Sequence, residues 1–184
     1  MIKHVLLALL LVAATQIARA DSWAEPTLKV VASENAMYVA RIEPGHTGRG
    51  SAHATLYLYD AGTDGYRKLV RYALQDNWLP VTTLLSNDGT LVTLDHWAEV
   101  GEGMVLHVYD LQGNIRSQHT LRELIGDAAG DAPSSVSSTW WRCGSPYFTD
   151  GGQGVRIETF DEGSLDFALA NGTWKYSPGK GSCR

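Results

Sequence analysis

The feature that most constrains this chain is an internal repeat with a period near 50 residues. Residues 33–40 align with residues 86–93 at an offset of 53, and residues 56–60 align with 106–110 at an offset of 50. In each repeat a turn sequence precedes a run of β-branched and other apolar residues, which is typical of a strand that leaves a tight turn. A weaker third copy begins near Asp150.

A period of this length, with several short strands in each unit, predicts an all-β fold of antiparallel meanders. We expect one domain of three units, at about residues 27–80, 81–133 and 134–184. The segments ATLYLYD and MVLHVYD are apolar on both side-chain faces. A sheet with one solvent-exposed face would alternate apolar and polar residues. These strands are therefore expected to be packed against neighbouring elements on both faces.

The S-x-D-G element at residues 86–89 and the Y-D-x-x-G element at 109–113 resemble those of WD-repeat and related β-propeller proteins. The resemblance implies blade-like units and says little about function, because one fold serves many functions. Propellers close with about four to eight blades, whereas this chain has residues for about three. An open arc, a ring completed by another chain and a different β-fold with similar hairpins remain alternatives, of which a compact single-chain arrangement is favoured. An open arc is expected to leave apolar blade faces that need a cover.

Residues 1–20 have the sequence of a secretory signal peptide. Lys3 precedes an apolar run at residues 5–14, and Ala18-Arg19-Ala20 fits a cleavage site. The run is too short for a membrane anchor, which needs roughly 20 residues. We therefore predict cleavage after Ala20, export to the periplasm or the extracellular space, and no membrane contact after cleavage.

The charge balance argues against nucleic acid as a partner. Cleavage removes two basic residues, which leaves 13 against 20 acidic residues and moves the formal net charge from −5 to −7. Such a surface lacks the clustered Lys and Arg that phosphate backbones and anionic lipids require. A protein or glycan partner and self-association remain open.

Cys143 and Cys183 are the two cysteines of the chain. In an oxidising compartment an even count predicts a disulfide, here closing a loop of about 40 residues. A redox pair usually has C-x-x-C spacing and a thiolate metal site has more ligands close by, so the structural bridge is preferred. The sequence predicts no metal site and no cofactor.

One short helix is predicted near residues 120–125. Thr120 and Glu123 have the spacing of a capping box, apolar residues follow, and Gly126 is a natural stop.

Enzyme signatures are missing from the sequence. No H-E-x-x-H zinc motif and no G-x-S-x-G elbow occurs. Glycosidase carboxylates leave no linear motif, so Asp95, Glu99 and Glu102 are candidates for a hydrolase with acidic residues gathered at one rim.

The chain is rich in tryptophan, with six residues. Aromatic rings near loops can stack on sugars or anchor a protein partner, and on this basis Trp78, Trp97 and Trp141 are predicted to bind ligand. Adjacent Trp140 and Trp141 point to opposite faces if extended, so one of them belongs to the core. The preferred function is an exported binding or interaction module; the alternatives are a carbohydrate-active hydrolase and a structural accessory subunit of a larger β-assembly.

Overall fold

The computed structural model describes residues 23–45 and 50–183, which contain three four-stranded antiparallel sheets. Blade 1 is formed by β1 (Lys29–Ala32), β2 (Tyr38–Glu43), β3 (Ser51–Asp60) and β4 (Gly65–Asn77). Blade 2 is formed by β5 (Pro80–Leu85), β6 (Leu91–His96), β7 (Met104–Tyr109) and β8 (Ile115–Thr120). Blade 3 is formed by β9 (Arg142–Thr149), β10 (Gly154–Thr159), β11 (Ser164–Ala168) and β12 (Trp174–Ser177).

Each blade is a meander, because every strand pairs with its neighbours in sequence. The all-β prediction of propeller-like meander units is therefore confirmed. The predicted signal peptide lies outside the described residues. No helix within the described ranges is long and apolar enough to cross a membrane.

Equivalent parts of blades 1 and 2 lie side by side. The turns at the start of the two aligned repeats touch, since the backbone N–H of Asn35 donates to Oδ1 of Asn87 at 2.9 Å. The first strands are also neighbours: Lys29 on β1 donates to the carbonyl oxygens of Pro80 and Val81 on β5. Repeated units that stack with the same strands together are typical of propeller blades.

Blade 2 is covered on both faces, as the apolar character of its strands predicts. All six residues of β6 and five of the six of β7 are buried. Two apolar clusters surround this blade, one shared with each neighbour. The cluster with blade 1 includes Ile42, Leu56, Leu74 and Leu91, and the cluster with blade 3 includes Val92, Val108, Trp141, Ile157 and Phe167.

A short helix, α1 (Leu121–Ile125), follows blade 2 and confirms the prediction for this segment. Thr120 is its N-cap, and the reciprocal bonds of the capping box with Glu123 are both present. The helix buries Leu121 and Leu124 against blades 2 and 3. A 3-10 helix at Gly126–Asp131 continues the connection to blade 3.

Cys143 and Cys183 form the predicted disulfide, with Cα atoms 5.8 Å apart. Cys143 lies on β9, and Cys183 lies beyond β12, the last strand. The bridge therefore fastens the C-terminal segment across the sheet to the first strand of blade 3.

The outer faces of blades 1 and 3 carry ion pairs as well as exposed apolar side chains, such as Val30 on blade 1 and Tyr147 on blade 3. On blade 1, Arg41 and Arg71 both contact the carboxylate of Glu43, at 2.8 and 3.4 Å. On blade 3, Arg156 binds Asp166 through two hydrogen bonds, of 2.6 and 2.9 Å. The terminal units of repeat proteins usually have a polar outer face, which keeps them soluble. The ion pairs on blades 1 and 3 fit this pattern, and completion of the ring by another chain stays a prediction.

Candidate functional site

A cleft of about 690 Å³ opens where the loops after β4 and β6 meet. Trp78 contributes from the first loop, and Trp97, Glu99 and Glu102 contribute from the second. Two of the three predicted tryptophans and two of the three predicted carboxylates therefore come together. The remaining lining residues are Gly50, Asn77, Ala98 and Ser137.

The backbone around this cleft is held in sparsely populated conformations. Trp78 and Ala98 have φ values of 60° and 66°, and Asp95, just below the rim, has 57°. Non-glycine residues with positive φ cost free energy and occur preferentially at functional sites. Backbone hydrogen bonds fix both tryptophan-bearing loops: Gly45 donates to the carbonyl oxygen of Trp78, and Trp97 donates to that of Leu79. The rim is a fixed surface rather than a loose one.

Trp97 belongs to an aromatic group that continues from the cleft. Its ring meets that of Trp23 edge to face at 5.2 Å between centroids, and Trp23 in turn stacks on Trp140 at 6.1 Å. The Trp97 indole N–H donates to the carbonyl oxygen of Ala24, and the ammonium of Lys29 lies 5.3 Å from its ring centroid. Such a ring is fixed in orientation and keeps one part towards the cleft.

Glu99 and Glu102 are exposed at the rim, so the cleft is acidic as well as aromatic. Oε1 of Glu102 accepts a hydrogen bond of 3.3 Å from the Thr139 hydroxyl. The exposed side chain of Asn77 adds a further polar group to the lining. Carboxylates and an amide beside aromatic rings suit a ligand that carries many hydroxyl groups.

Asp95 is not a rim carboxylate, which corrects the prediction that grouped it with Glu99 and Glu102. Its side chain is buried between blades 2 and 3. It accepts hydrogen bonds from the indole of Trp141 at 2.8 Å, from Nε of Arg142 at 2.7 Å and from the backbone of Gly101 at 3.0 Å. Asp95 thus fixes the loop that carries Glu99 without facing the cleft.

Trp141 is likewise a core residue, which corrects its predicted role in ligand binding. Its side chain is fully buried in the cluster between blades 2 and 3, so its ring presents no surface to a ligand. The adjacent Trp140 is 45% exposed. The expectation that one of the pair lies in the core and the other faces outward is correct.

A buried polar cluster that the sequence did not predict lies beneath the cleft, at the seam between blades 1 and 2. Asp76, at the end of β4, is completely buried and accepts a hydrogen bond of 2.9 Å from Thr93 through Oδ2. Its other oxygen, Oδ1, faces Nδ1 of His96 at 3.6 Å and Nδ1 of His107 at 3.8 Å. His107 lies in β7, where five of the six residues are buried.

Burial controls the protonation of this cluster. Burial raises the pKa of Asp76 to about 7, although the hydrogen bond from Thr93 acts in the opposite direction. Burial, followed by the neighbouring His96, lowers the pKa of His107 to about 4. Burial also lowers the pKa of His96, against the charges of Glu99 and Asp95. Both imidazoles are therefore neutral at pH 7, and the carboxyl is the group that titrates there.

Replacing Asp76 with asparagine should stabilise the protein at alkaline pH. The pKa of Asp76 is raised from 3.8 to about 7 on folding, so ionisation lowers the free energy of unfolding as the pH rises through this window. Asparagine keeps an acceptor for Thr93, carries no charge and offers N–H donors to the two imidazoles. We expect a gain of about 2 kcal/mol at pH 8, shrinking as the pH falls from about 7 towards 4.

Urea unfolding of the two proteins at several pH values measures this difference. Asp127→Asn is the control, because the Asp127 side chain is 96% exposed and pairs with a similarly exposed Arg122. The control should match the wild type throughout. A variant at Asp76 that is less stable than the wild type at pH 8 would contradict the expected cost of the buried carboxylate.

No group of three or more His, Cys, Asp or Glu side chains in the described ranges is arranged to hold a metal ion.

Comparison with known proteins identifies a similar solved structure. The chain resembles a periplasmic gluconolactonase of Pseudomonas aeruginosa, with a TM-score of 0.52 and 13% sequence identity. The match covers 83% of this chain and 44% of that one, so the chain spans less than half the length of its structural neighbour. No protein-family model matches the sequence, and no curated protein matches it. The likeness shows a propeller-like fold, without a match to the WD-repeat family.

Proposed function

We propose that this chain is an exported, propeller-like binding module that takes a polyhydroxylated ligand, such as a glycan, in the cleft between blades 1 and 2. The observation that carries the proposal is the convergence of Trp78, Trp97, Glu99 and Glu102 from two loops onto one cleft. Aromatic faces stack on the apolar faces of sugar rings, and carboxylates accept hydrogen bonds from sugar hydroxyls. The fixed backbone of both loops favours binding because little ordering is needed.

Export is supported by the signal-like sequence at residues 1–20 and by the disulfide, which is typical of oxidising compartments. The structural neighbour is itself a periplasmic protein. The periplasm or the extracellular space is therefore the proposed location.

Truncation of Trp78 should weaken ligand binding about tenfold, because a tryptophan in the centre of a contact carries a large share of the binding free energy. The mature protein is titrated with oligosaccharides of glucose and of N-acetylglucosamine, and binding is followed by tryptophan fluorescence and calorimetry. Trp174→Ala is the matched control, since Trp174 is 38% exposed, close to the 36% of Trp78, and lies on blade 3.

The proposal predicts a loss of affinity in Trp78→Ala and none in Trp174→Ala. Equal losses in the two variants would place the ligand elsewhere, and no binding by any oligosaccharide of the panel would overturn the glycan assignment.

A hydrolase is the second candidate. Two carboxylates, Glu99 and Glu102, share the cleft, and the structural neighbour is a gluconolactonase. Proton release from glucono-1,5-lactone, compared between the wild type and a variant with both Glu99→Gln and Glu102→Gln, tests this activity. Hydrolysis that disappears in the variant would favour the enzyme, whereas binding without turnover would favour the module.

The remaining expectations concern partners. A protein partner and self-association stay predictions. The ion pairs on the outer faces of blades 1 and 3 do not favour a role as an accessory subunit that packs into a larger β-assembly through a wholly apolar sheet face.

A further inference from the structure

Two exposed carboxylates line the proposed cleft because a single tight turn carries both. The backbone N–H of Glu102 donates to the carbonyl oxygen of Glu99 at 3.2 Å, which is the hydrogen bond of a β-turn. In such a turn the Cα atoms of the first and last residues lie within about 7 Å of each other. Both side chains are exposed and line the cleft. Two negative charges are therefore held near each other at the place where the ligand binds.

Contacts on both sides fix this turn. Asp95 accepts a hydrogen bond of 3.0 Å from the backbone N–H of Gly101, and the backbone N–H of Thr139 donates to the carbonyl oxygen of Val100 at 2.7 Å. The Thr139 hydroxyl also donates to the carboxylate of Glu102. The two charges thus stay together when no ligand is bound, and like charges held together favour the binding of a cation.

Cations of the protein itself do not neutralise this part of the cleft. Among the residues that the structure describes, those lining the cleft include no lysine, arginine or histidine. Lys29 lies over the ring of Trp97, but its ammonium donates to two backbone carbonyl oxygens of β5, at 3.1 and 2.9 Å. Arg142 is paired with the buried Asp95 at 2.7 Å. Burial lowers the pKa of His96, so this imidazole beneath the rim adds no charge at neutral pH.

The loop after β4 supplies an aromatic surface to the same cleft. Trp78 is 36% exposed, and in the part of the chain that the structure covers its ring meets neither another aromatic ring nor a cation. An ammonium group is attracted to the face of an indole ring, as the contact between Lys29 and Trp97 illustrates. Carboxylates and free indole faces are the two kinds of group that bind an organic ammonium ion.

A metal ion fits this cleft less well than an organic cation. Calcium and magnesium take about six or more oxygen ligands, and no group of three or more His, Cys, Asp or Glu side chains within residues 23–45 and 50–183 is arranged to hold a metal. An ammonium group needs fewer partners, because it donates at most three hydrogen bonds.

Resting on the proposed function, we infer that the ligand of this cleft is an amino sugar with free amino groups, such as an oligosaccharide of glucosamine. Its ammonium groups pair with Glu99 and Glu102, and one of its rings stacks on Trp78. Its hydroxyl groups bind the side-chain amide of Asn77. Acetylation of the amines keeps the rings and hydroxyls but removes the positive charge, so N-acetylated oligosaccharides bind more weakly.

Calorimetric titration of the full mature chain tests this preference. The ligands are the trisaccharides of glucosamine, N-acetylglucosamine and glucose, at about pH 6, which keeps the amino groups protonated. We expect the glucosamine trisaccharide to bind about tenfold more tightly than the two neutral ones, the effect of two exposed ion pairs at about threefold each. Raising the ionic strength from about 0.01 M to about 1 M should abolish the difference, because the Debye length falls from about 30 Å to about 3 Å. Equal affinities for the charged and neutral trisaccharides would overturn the inference and leave the binding module intact.

Glu99→Gln and Glu102→Gln separate the charge of the cleft from its shape, because glutamine keeps an acceptor oxygen. Each variant should bind the glucosamine trisaccharide about threefold more weakly, and the double variant about tenfold more weakly. Affinity for the N-acetylglucosamine trisaccharide and the thermal unfolding midpoint should both match the wild type. Glu158→Gln is the matched control, since Glu158 is also exposed but lies on β10 of blade 3. A double variant that keeps the wild-type affinity for the glucosamine trisaccharide would overturn the inference.

A lysine tripeptide carries ammonium groups without sugar rings and separates an amino sugar from other organic cations. It should bind about fivefold more weakly than the glucosamine trisaccharide, because it has no sugar ring to stack on Trp78. Equal binding of the peptide would overturn the assignment of an amino sugar. No binding by any of the three trisaccharides would overturn the proposed function and the inference with it.

Discussion

Replacing Asp95 with alanine should lower the free energy of unfolding by about 3–5 kcal/mol, the usual cost of removing one partner of a buried ion pair. Asp95 is completely buried and accepts hydrogen bonds from Arg142, Trp141 and the backbone of Gly101. Without the carboxylate, the Arg142 guanidinium, only 12% exposed, and the buried indole N–H both lose their acceptor. The seam between blades 2 and 3 would open first.

Urea or thermal unfolding measures this loss, and Asp110→Ala is the matched control. Asp110 also accepts three hydrogen bonds, from the backbone of Gln112 and from the backbone and side chain of Asn114, but in a surface turn. Its truncation should cost only about 1 kcal/mol, since water replaces the lost acceptor. Asp95→Asn should fall between the two variants. If Asp95→Ala and Asp110→Ala lowered the free energy of unfolding equally, the buried ion pair would contribute no more to stability than the hydrogen bonds of a surface turn.

The position of Asp95 explains why the sequence did not reveal its role. Along a regular strand, residues two apart face the same side, so Thr93 and Asp95 should both face blade 1. Thr93 does contact Asp76 on blade 1, but the φ of 57° at Asp95 turns its side chain to blade 3. The same turn directs His96 back towards Asp76. A single left-handed residue thus creates two polar contacts that no period-two pattern predicts.

The architecture was predictable because it depends on local and repeated features. Turn residues, β-branched runs and the offset between repeats mark strands independently of their partners, and the capping box marks α1. The convergence of Trp78 and Trp97 was partly predictable, since both adjoin loops at the ends of central strands. Asp76 was not, because Asp-Asn before Trp78 resembles an ordinary turn, and only packing between blades buries it. The site is formed by contacts between blades, and local patterns in the sequence do not predict the geometry of those contacts.

Removing the disulfide should cost about 4 kcal/mol in free energy of unfolding, because a loop of 40 residues loses its closure in the unfolded chain. The double variant Cys143→Ser, Cys183→Ser and the wild type under reducing conditions should lose the same amount in urea unfolding. Reductant should have no effect on the double variant, which is the control. A wild type whose unfolding is unchanged by full reduction would contradict the expected contribution.

The disulfide does not contact the cleft residues. Cys143 and Cys183 both belong to blade 3, whereas Trp78, Trp97 and Glu99 are carried by the loops after β4 and β6. Below the urea transition, the reduced protein should therefore bind its ligand with unchanged affinity while hydrogen exchange accelerates in β12. If the reduced protein were still folded but no longer bound ligand, this expectation would be wrong. Blade 3 would then support the cleft indirectly, through the contact between Asp95 and Gly101.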